Sequence, residues 1–117
     1  MVRHVHDGRD YWTLPGGGIE AEESDHQAAK REVMEETGVE VEPLKLLFVF
    51  KAERSISHCV LMTTPNAEVE VSVGIDPEEQ HLPEEDRMLR DAAWHEISAM
   101  KDDPMVSRAI DELRLEI

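Results

Sequence analysis

"LPGGGIEAEESDHQAAKREVMEETGV", residues 14–39, is the stretch on which the reading of this chain turns. A proline and three glycines run directly into acids and then into helical sequence. Ser24 followed three residues later by Gln27 has the form of a capping box. Gly38 stands where a helix ends on a left-handed glycine. The spacing therefore predicts a helix over Asp25–Thr37 carrying Glu32, Glu35 and Glu36. At about 100° per residue, Glu35 lies about 60° to one side of Glu32 and Glu36 about 40° to the other. Three like charges on one helix face repel, and something must offset them. One account is local: Arg31 pairs with Glu35, Lys30 stands near, and the face is solvated. The other is a divalent cation, because Mg²⁺ and Mn²⁺ prefer clustered carboxylate oxygens.

Outward from this helix the pattern is that of a layered α/β chain. "VRHV" and "YWTL" flank an Asp7-Gly8 pair, a hairpin-turn signal. "LKLLFVFKA" (44–52) reads as a buried strand, "SHCVLMTT" (57–64) as a second and "AEVEVSV" (67–73) as an alternating third. Residues 76–88 read as a polar loop and 91–97 as a short strand. Asp103-Pro104 opens a last helix that runs to about Leu113. Helices between strand groups predict a mixed sheet covered by helices. There are no internal repeats and no interdomain linker, so residues 1–117 are expected to form one domain.

The formal net charge of −15 argues against binding bulk nucleic acid or an acidic membrane. A small anionic substrate is still compatible if a bound cation inverts the local field. Arg outnumbers Lys eight to four, so positive charge comes mainly as planar forks that match phosphate. No apolar run is long enough to span a membrane. The N-terminus has no apolar stretch of the signal-peptide kind. With the lone Cys59, this fits a reducing, cytoplasmic setting.

The spacing of the fixed residues is more specific than the acids alone. Gly17 is followed after five residues by Glu23, after seven more by Arg31-Glu32-Val33, then by Glu35-Glu36 and Gly38-Val39. This resembles the signature of the Nudix hydrolases at every fixed position, and "WTLPGGGIE" resembles the usual lead-in. The resemblance continues more weakly to "WHEI" and the last helix. It implies an α/β/α sandwich with a mixed β-sheet and a loop–helix–loop that binds divalent cations, Mg²⁺ or Mn²⁺. It implies hydrolysis of a nucleoside diphosphate linked to another group. Carried over by position, Glu32 and Glu36 are direct metal ligands and the Gly17 carbonyl is another. Glu35 is a ligand or the base for the attacking water, and Arg31 orients a glutamate, Glu23, through a bidentate contact. A further carboxylate from a later loop is expected from among Glu78, Glu79, Glu84 and Glu85. A non-catalytic nucleotide-binding module on the same fold is the alternative, although no signature glutamate is missing.

Two departures carry expectations. Glu20-Ala21-Glu22-Glu23 stands where the family commonly has Glu-Pro-Gly-Glu, so position 22 lacks the residue that reaches positive φ cheaply. The usual strand before "VRHV" is absent, which leaves an exposed sheet edge and predicts a homodimer or swapped assembly there. Of the other residues, Trp12 and Trp94 are expected in the core, with base stacking a second option for Trp12. Phe48 and Phe50 are expected in the core as well. His4 and His6 share a strand face; ordinary surface histidines are the simpler reading than a zinc site. Arg3, Arg9 and Arg54 are candidates for substrate phosphates. The proline that marks relatives acting on ADP-ribose and the tyrosine that marks those acting on dinucleoside polyphosphates are both missing from "AERSIS".

Overall fold

The hairpin predicted from Asp7-Gly8 opens the fold. Strand β1 (Val2–His6) returns as β2 (Arg9–Thr13) through two residues with positive φ, Asp7 at 49° and Gly8 at 74°. That turn geometry matches the twist of the strands it joins. The computed structural model describes residues 1–65 and 71–117. Helix α1 spans Asp25–Thr37, as the caps predict. The Ser24 hydroxyl accepts from the Gln27 N–H at 3.1 Å, and the Gln27 side chain accepts from the Ser24 N–H at 2.8 Å. Gly38, at φ 72°, donates its N–H to Met34 O and closes the helix. Strands β3 (Glu42–Lys51) and β4 (Ile56–Thr63) follow, then β5 (Leu89–Ala92) and helix α2 (Pro104–Leu113). The side chain of Asp103 caps α2 by accepting from the N–H groups of Met105 and Val106.

Among the described residues the strands form two sheets, one ordered β2-β1-β5 and one β3-β4, and each of these pairings is antiparallel. Two helices over these sheets give the α/β architecture expected of the chain. Fully buried Val2 packs with Leu89 and Ala92, and partly buried Val71 closes that cluster. Helix α2 lies over β3, with the Arg108 guanidinium 5.0 Å from the Phe48 ring centre. Asp25 joins the start of α1 to β4 by meeting His26 at 2.7 Å and His58 at 3.0 Å. The hydrogen bonds from His26 and His58 bring the Asp25 carboxyl down to about 2. No helix among the described residues is long and apolar enough to cross a membrane.

Several expectations are corrected. "VRHV" is not an open edge: β1 is the middle strand, with β5 along its other side through Val2↔Ala92, Arg3↔Asp91 and His4↔Leu89. Assembly through an edge beside β1 therefore has no free backbone to use. The apolar run of β3 is not buried throughout. Phe48 is 5% exposed but Leu44 is 59%, and among the described residues β3 pairs with β4 alone. The short strand expected at 91–97 lies earlier, at Leu89–Ala92, which leaves Trp94 beyond it and 53% exposed. Trp12 packs against His95, ring centres 4.6 Å apart. The strand expected at 67–73 falls partly outside the described residues, and residues 71–73 are not in a strand. Instead Ser72 donates to Thr37 O and Gly74 to Glu36 O, satisfying the last carbonyls of α1. Gly74 lies so close that a Cβ there would sit 1.6 Å from Glu35 O.

Candidate active site

The glycine loop folds back onto α1, and the contact is made by the predicted residues. The Gly16 N–H donates to Glu36 Oε2 at 2.7 Å. A Cβ on Gly17 would lie 2.4 Å from Glu32 Oε1. A side chain at this position would have to displace the Glu32 carboxylate.

Arg31 organises the acids on the other side. It grips Glu23 bidentately, Nε to Oε2 at 2.8 Å and Nη2 to Oε1 at 3.0 Å. Its Nη1 donates to Glu32 at 3.0 Å and to Glu35 at 3.2 Å. Its Nη2 also donates to Gly18 O at 3.0 Å. Two parallel bonds between planar groups fix both partners in orientation as well as distance. Glu23 accepts in addition from the Glu20 N–H. The Arg31 hydrogen bond chiefly holds the Glu23 carboxyl down at about 2. Glu22 takes the left-handed conformation itself, φ 65°, where the family pattern has glycine.

Glu36 has the opposite environment. It is 8% exposed. Burial first, then the charges of Glu32, Asp76 and Glu35, push its carboxyl up to about 7, against the pull of the Gly16 N–H. Burial also raises Glu32, which Arg31 opposes. Burial and like charge both favour the neutral form of such a carboxyl, and a bound cation would favour the ionised one.

The predicted set Gly17, Glu23, Arg31, Glu32, Glu35 and Glu36 is thus gathered in one place. Of the later-loop candidates, Glu79 is tied to the Met88 N–H at 3.0 and 3.1 Å. Glu78, Glu84 and Glu85 are exposed. Asp76, which sequence reasoning passed over, is the loop carboxylate whose charge reaches both Glu32 and Glu36. Its own oxygen caps the following turn by accepting from the Glu78 N–H. Asp76-Pro77 is an N-cap signal like Asp103-Pro104, which marks a fixed turn but not its distance from α1.

As the side chains stand, no three His, Cys, Asp or Glu among the described residues are posed to hold a metal ion. The donor chemistry still fits one. The groups are hard oxygens, Glu36 is a buried carboxylate in need of a cation, and the Gly17–Glu32 approach is a cradle that a Cβ would fill.

Comparison with known proteins agrees with this geometry. The NUDIX domain family model matches residues 1–114. Over 49 residues the chain is 47% identical to mouse (Mus musculus) diphosphoinositol polyphosphate phosphohydrolase 3-alpha, covering 42% of this chain and 30% of that protein. It is 50% identical over 42 residues to rat (Rattus norvegicus) diphosphoinositol polyphosphate phosphohydrolase 2, covering 36% and 24%. It is 42% identical over 60 residues to a MutT-like protein of Streptomyces ambofaciens, covering 50% and 39%. The match thus spans well under half the length of each of these relatives. No solved structure matches the chain. A family match over nearly the whole chain, on a fold that brings the complete signature together, establishes that this chain belongs to the NUDIX domain family.

Proposed function

We propose that this chain is a Mg²⁺- or Mn²⁺-dependent pyrophosphohydrolase acting on a nucleotide-type small molecule, a nucleoside diphosphate linked to another group. The observation that carries this is the meeting of Gly16 and Gly17 with Glu36 and Glu32 on one helix face, with Arg31 fixing Glu23 beside them. The names of the mammalian relatives, phosphohydrolases of diphosphoinositol polyphosphates, support a phosphoanhydride as the bond cut. The net charge of −15 weighs against a substrate as densely phosphorylated as theirs.

In this reading Glu32, Glu36 and the Gly17 carbonyl hold the cation. When bound, it neutralises phosphate oxygens and acidifies a water. Glu35 serves as a further ligand or accepts the proton of the attacking water. Arg31 keeps Glu23 and Glu35 oriented. Asp76 is the later-loop carboxylate of the site, in place of Glu78, Glu79, Glu84 or Glu85. Residues 1–117 work as one catalytic domain, and the lone Cys59 supports a cytoplasmic setting. The test is a panel of nucleoside diphosphate derivatives with Mg²⁺, scored by product mass. Paired phosphate products in the wild type and none from Glu36→Gln support the proposal; unchanged turnover in Glu36→Gln removes Glu36 from the site.

A further inference from the structure

A second cluster of chemistry-bearing side chains lies on the β1–β2 hairpin. His4 stands opposite Tyr11 and His6 opposite Arg9, so all four side chains share one face. The Arg9 guanidinium lies over the Tyr11 ring, 5.1 Å from its centre. The His4 ring centre is 5.7 Å from that of Tyr11, tilted, and His6 meets the same ring edge-on at 5.6 Å. His6 Nε2 is also 2.9 Å from the Tyr11 hydroxyl. Two positive-φ residues in a two-residue turn fix the hairpin that carries the group.

Arg9 is one of several basic side chains without an ion pair among the described residues, and it lies over a tyrosine ring. Arg3, Lys30, Arg31 and Arg108 each have a carboxylate partner. Arg9 is exposed and makes no ion pair among the described residues. The ring packs against the guanidinium, whose planar fork is of the kind that takes a phosphate bidentately. The ring, taken up by Arg9 and the two histidines, is poorly placed to stack a base.

The hairpin that carries the patch leads along the chain into the glycine loop of the proposed reaction centre. Its row of side chains runs from Arg9 to Thr13, roughly 13 Å at a strand's rise per residue. Three residues beyond Thr13, Gly16 meets Glu36. His4 feels the charges of Glu79 and of Asp76, the carboxylate that also acts on Glu32 and Glu36. Asp7 lies 3.5 Å from His6 at the turn.

We infer that this hairpin face, with Arg9 on Tyr11 beside His4 and His6, binds a phosphate carried on the linked half of the substrate, one group away from the anhydride that is cut. The inference rests on the proposed pyrophosphohydrolase reading. Its test uses matched nucleoside diphosphate sugars that differ only by a phosphate on the sugar. The expected result is a wild-type preference in kcat/KM for the phosphorylated member. That preference falls about tenfold or more in Arg9→Ala, the range of a charge-assisted hydrogen bond, with only partial recovery in Arg9→Lys. Lys101→Ala, outside the hairpin, keeps the wild-type ratio. A ratio that does not move in Arg9→Ala overturns the inference while leaving the proposed activity intact. If wild type cleaves neither compound, the proposed activity fails, and titration calorimetry with the phosphorylated sugar decides the site separately. Affinity that depends on Arg9 supports it; affinity indifferent to Arg9, or none, overturns it. Thermal melting of each variant reports that it is folded.

Discussion

The Gly16 N–H and Glu36 Oε2, twenty residues apart in sequence, meet at 2.7 Å. This single contact sets the glycine loop against the helix acids and places Glu36 where burial lifts its carboxyl to about 7. A carboxyl raised above its ordinary 4.5 is more tightly protonated in the folded protein than in the unfolded chain. Its contribution to stability is therefore present at pH below about 4.5 and is lost as pH rises toward 7.

The metal-free protein is expected to show this sign directly. Glu36→Gln removes the charge, keeps the shape and raises the melting temperature at pH 8 by a few degrees, for a gain on the order of 1 kcal/mol. The gain disappears near pH 4. A lower melting temperature for Glu36→Gln at pH 8 contradicts the account of its environment.

Metal binding is expected to titrate with the same group. Mn²⁺ affinity, measured by calorimetry, rises as pH increases through about 7, and proton uptake by buffer accompanies binding below that pH. Affinity that is flat between pH 6 and 8 contradicts a ligand role for Glu36.

Arg31 holds Glu23 with two parallel bonds and reaches Glu32 and Glu35 as well. A lysine offers one point charge and no fork. Arg31→Lys is expected to lose about tenfold to a hundredfold in kcat or metal affinity, and Glu23→Gln a comparable amount. Full activity in Arg31→Lys indicates that charge alone is needed.

Asp76 and the loop glutamates separate by charge removal. Asp76→Asn weakens Mn²⁺ binding by about tenfold, whereas Glu84→Gln and Glu85→Gln leave it within error. The reverse order assigns the loop carboxylate to the second turn.

Backbone geometry gives a prediction that does not depend on activity. Gly74→Ala drives a Cβ into the Glu35 carbonyl and is expected to cost about 2 kcal/mol or more in denaturant unfolding. At Glu22, with φ 65°, glycine relieves strain at some cost in chain entropy, so Glu22→Gly is near neutral. Glu22→Val, branched at Cβ, loses roughly 1 kcal/mol.

What the sequence showed and what it hid follow from how local each feature is. The capping box at Ser24, the left-handed Gly38 and the Asp7-Gly8 turn are decided within a few residues, and each stands where its neighbours predict. The helix spacing of Glu32, Glu35 and Glu36, with the signature from Gly17 to Val39, made the site legible before the fold. Exposure of Leu44 and Trp94 was not legible, since an apolar run does not tell how many layers cover it. Nor was Asp76, whose approach to Glu36 depends on Gly74 docking to the end of α1. The positive-φ Glu22 shows that the loop keeps its shape without the usual glycine.

The central claim is metal-dependent hydrolysis at Glu32 and Glu36, and one measurement tests it most directly. Nucleoside diphosphate derivatives are incubated with the wild type and with Glu36→Gln, with Mg²⁺ and with chelator, in ¹⁸O-water, and the products are weighed. The account predicts cleavage at the anhydride with one ¹⁸O in a phosphate product, in the wild type with Mg²⁺ only. Cleavage that survives chelation or the Glu36→Gln change, or no cleavage of any member by the wild type, contradicts it.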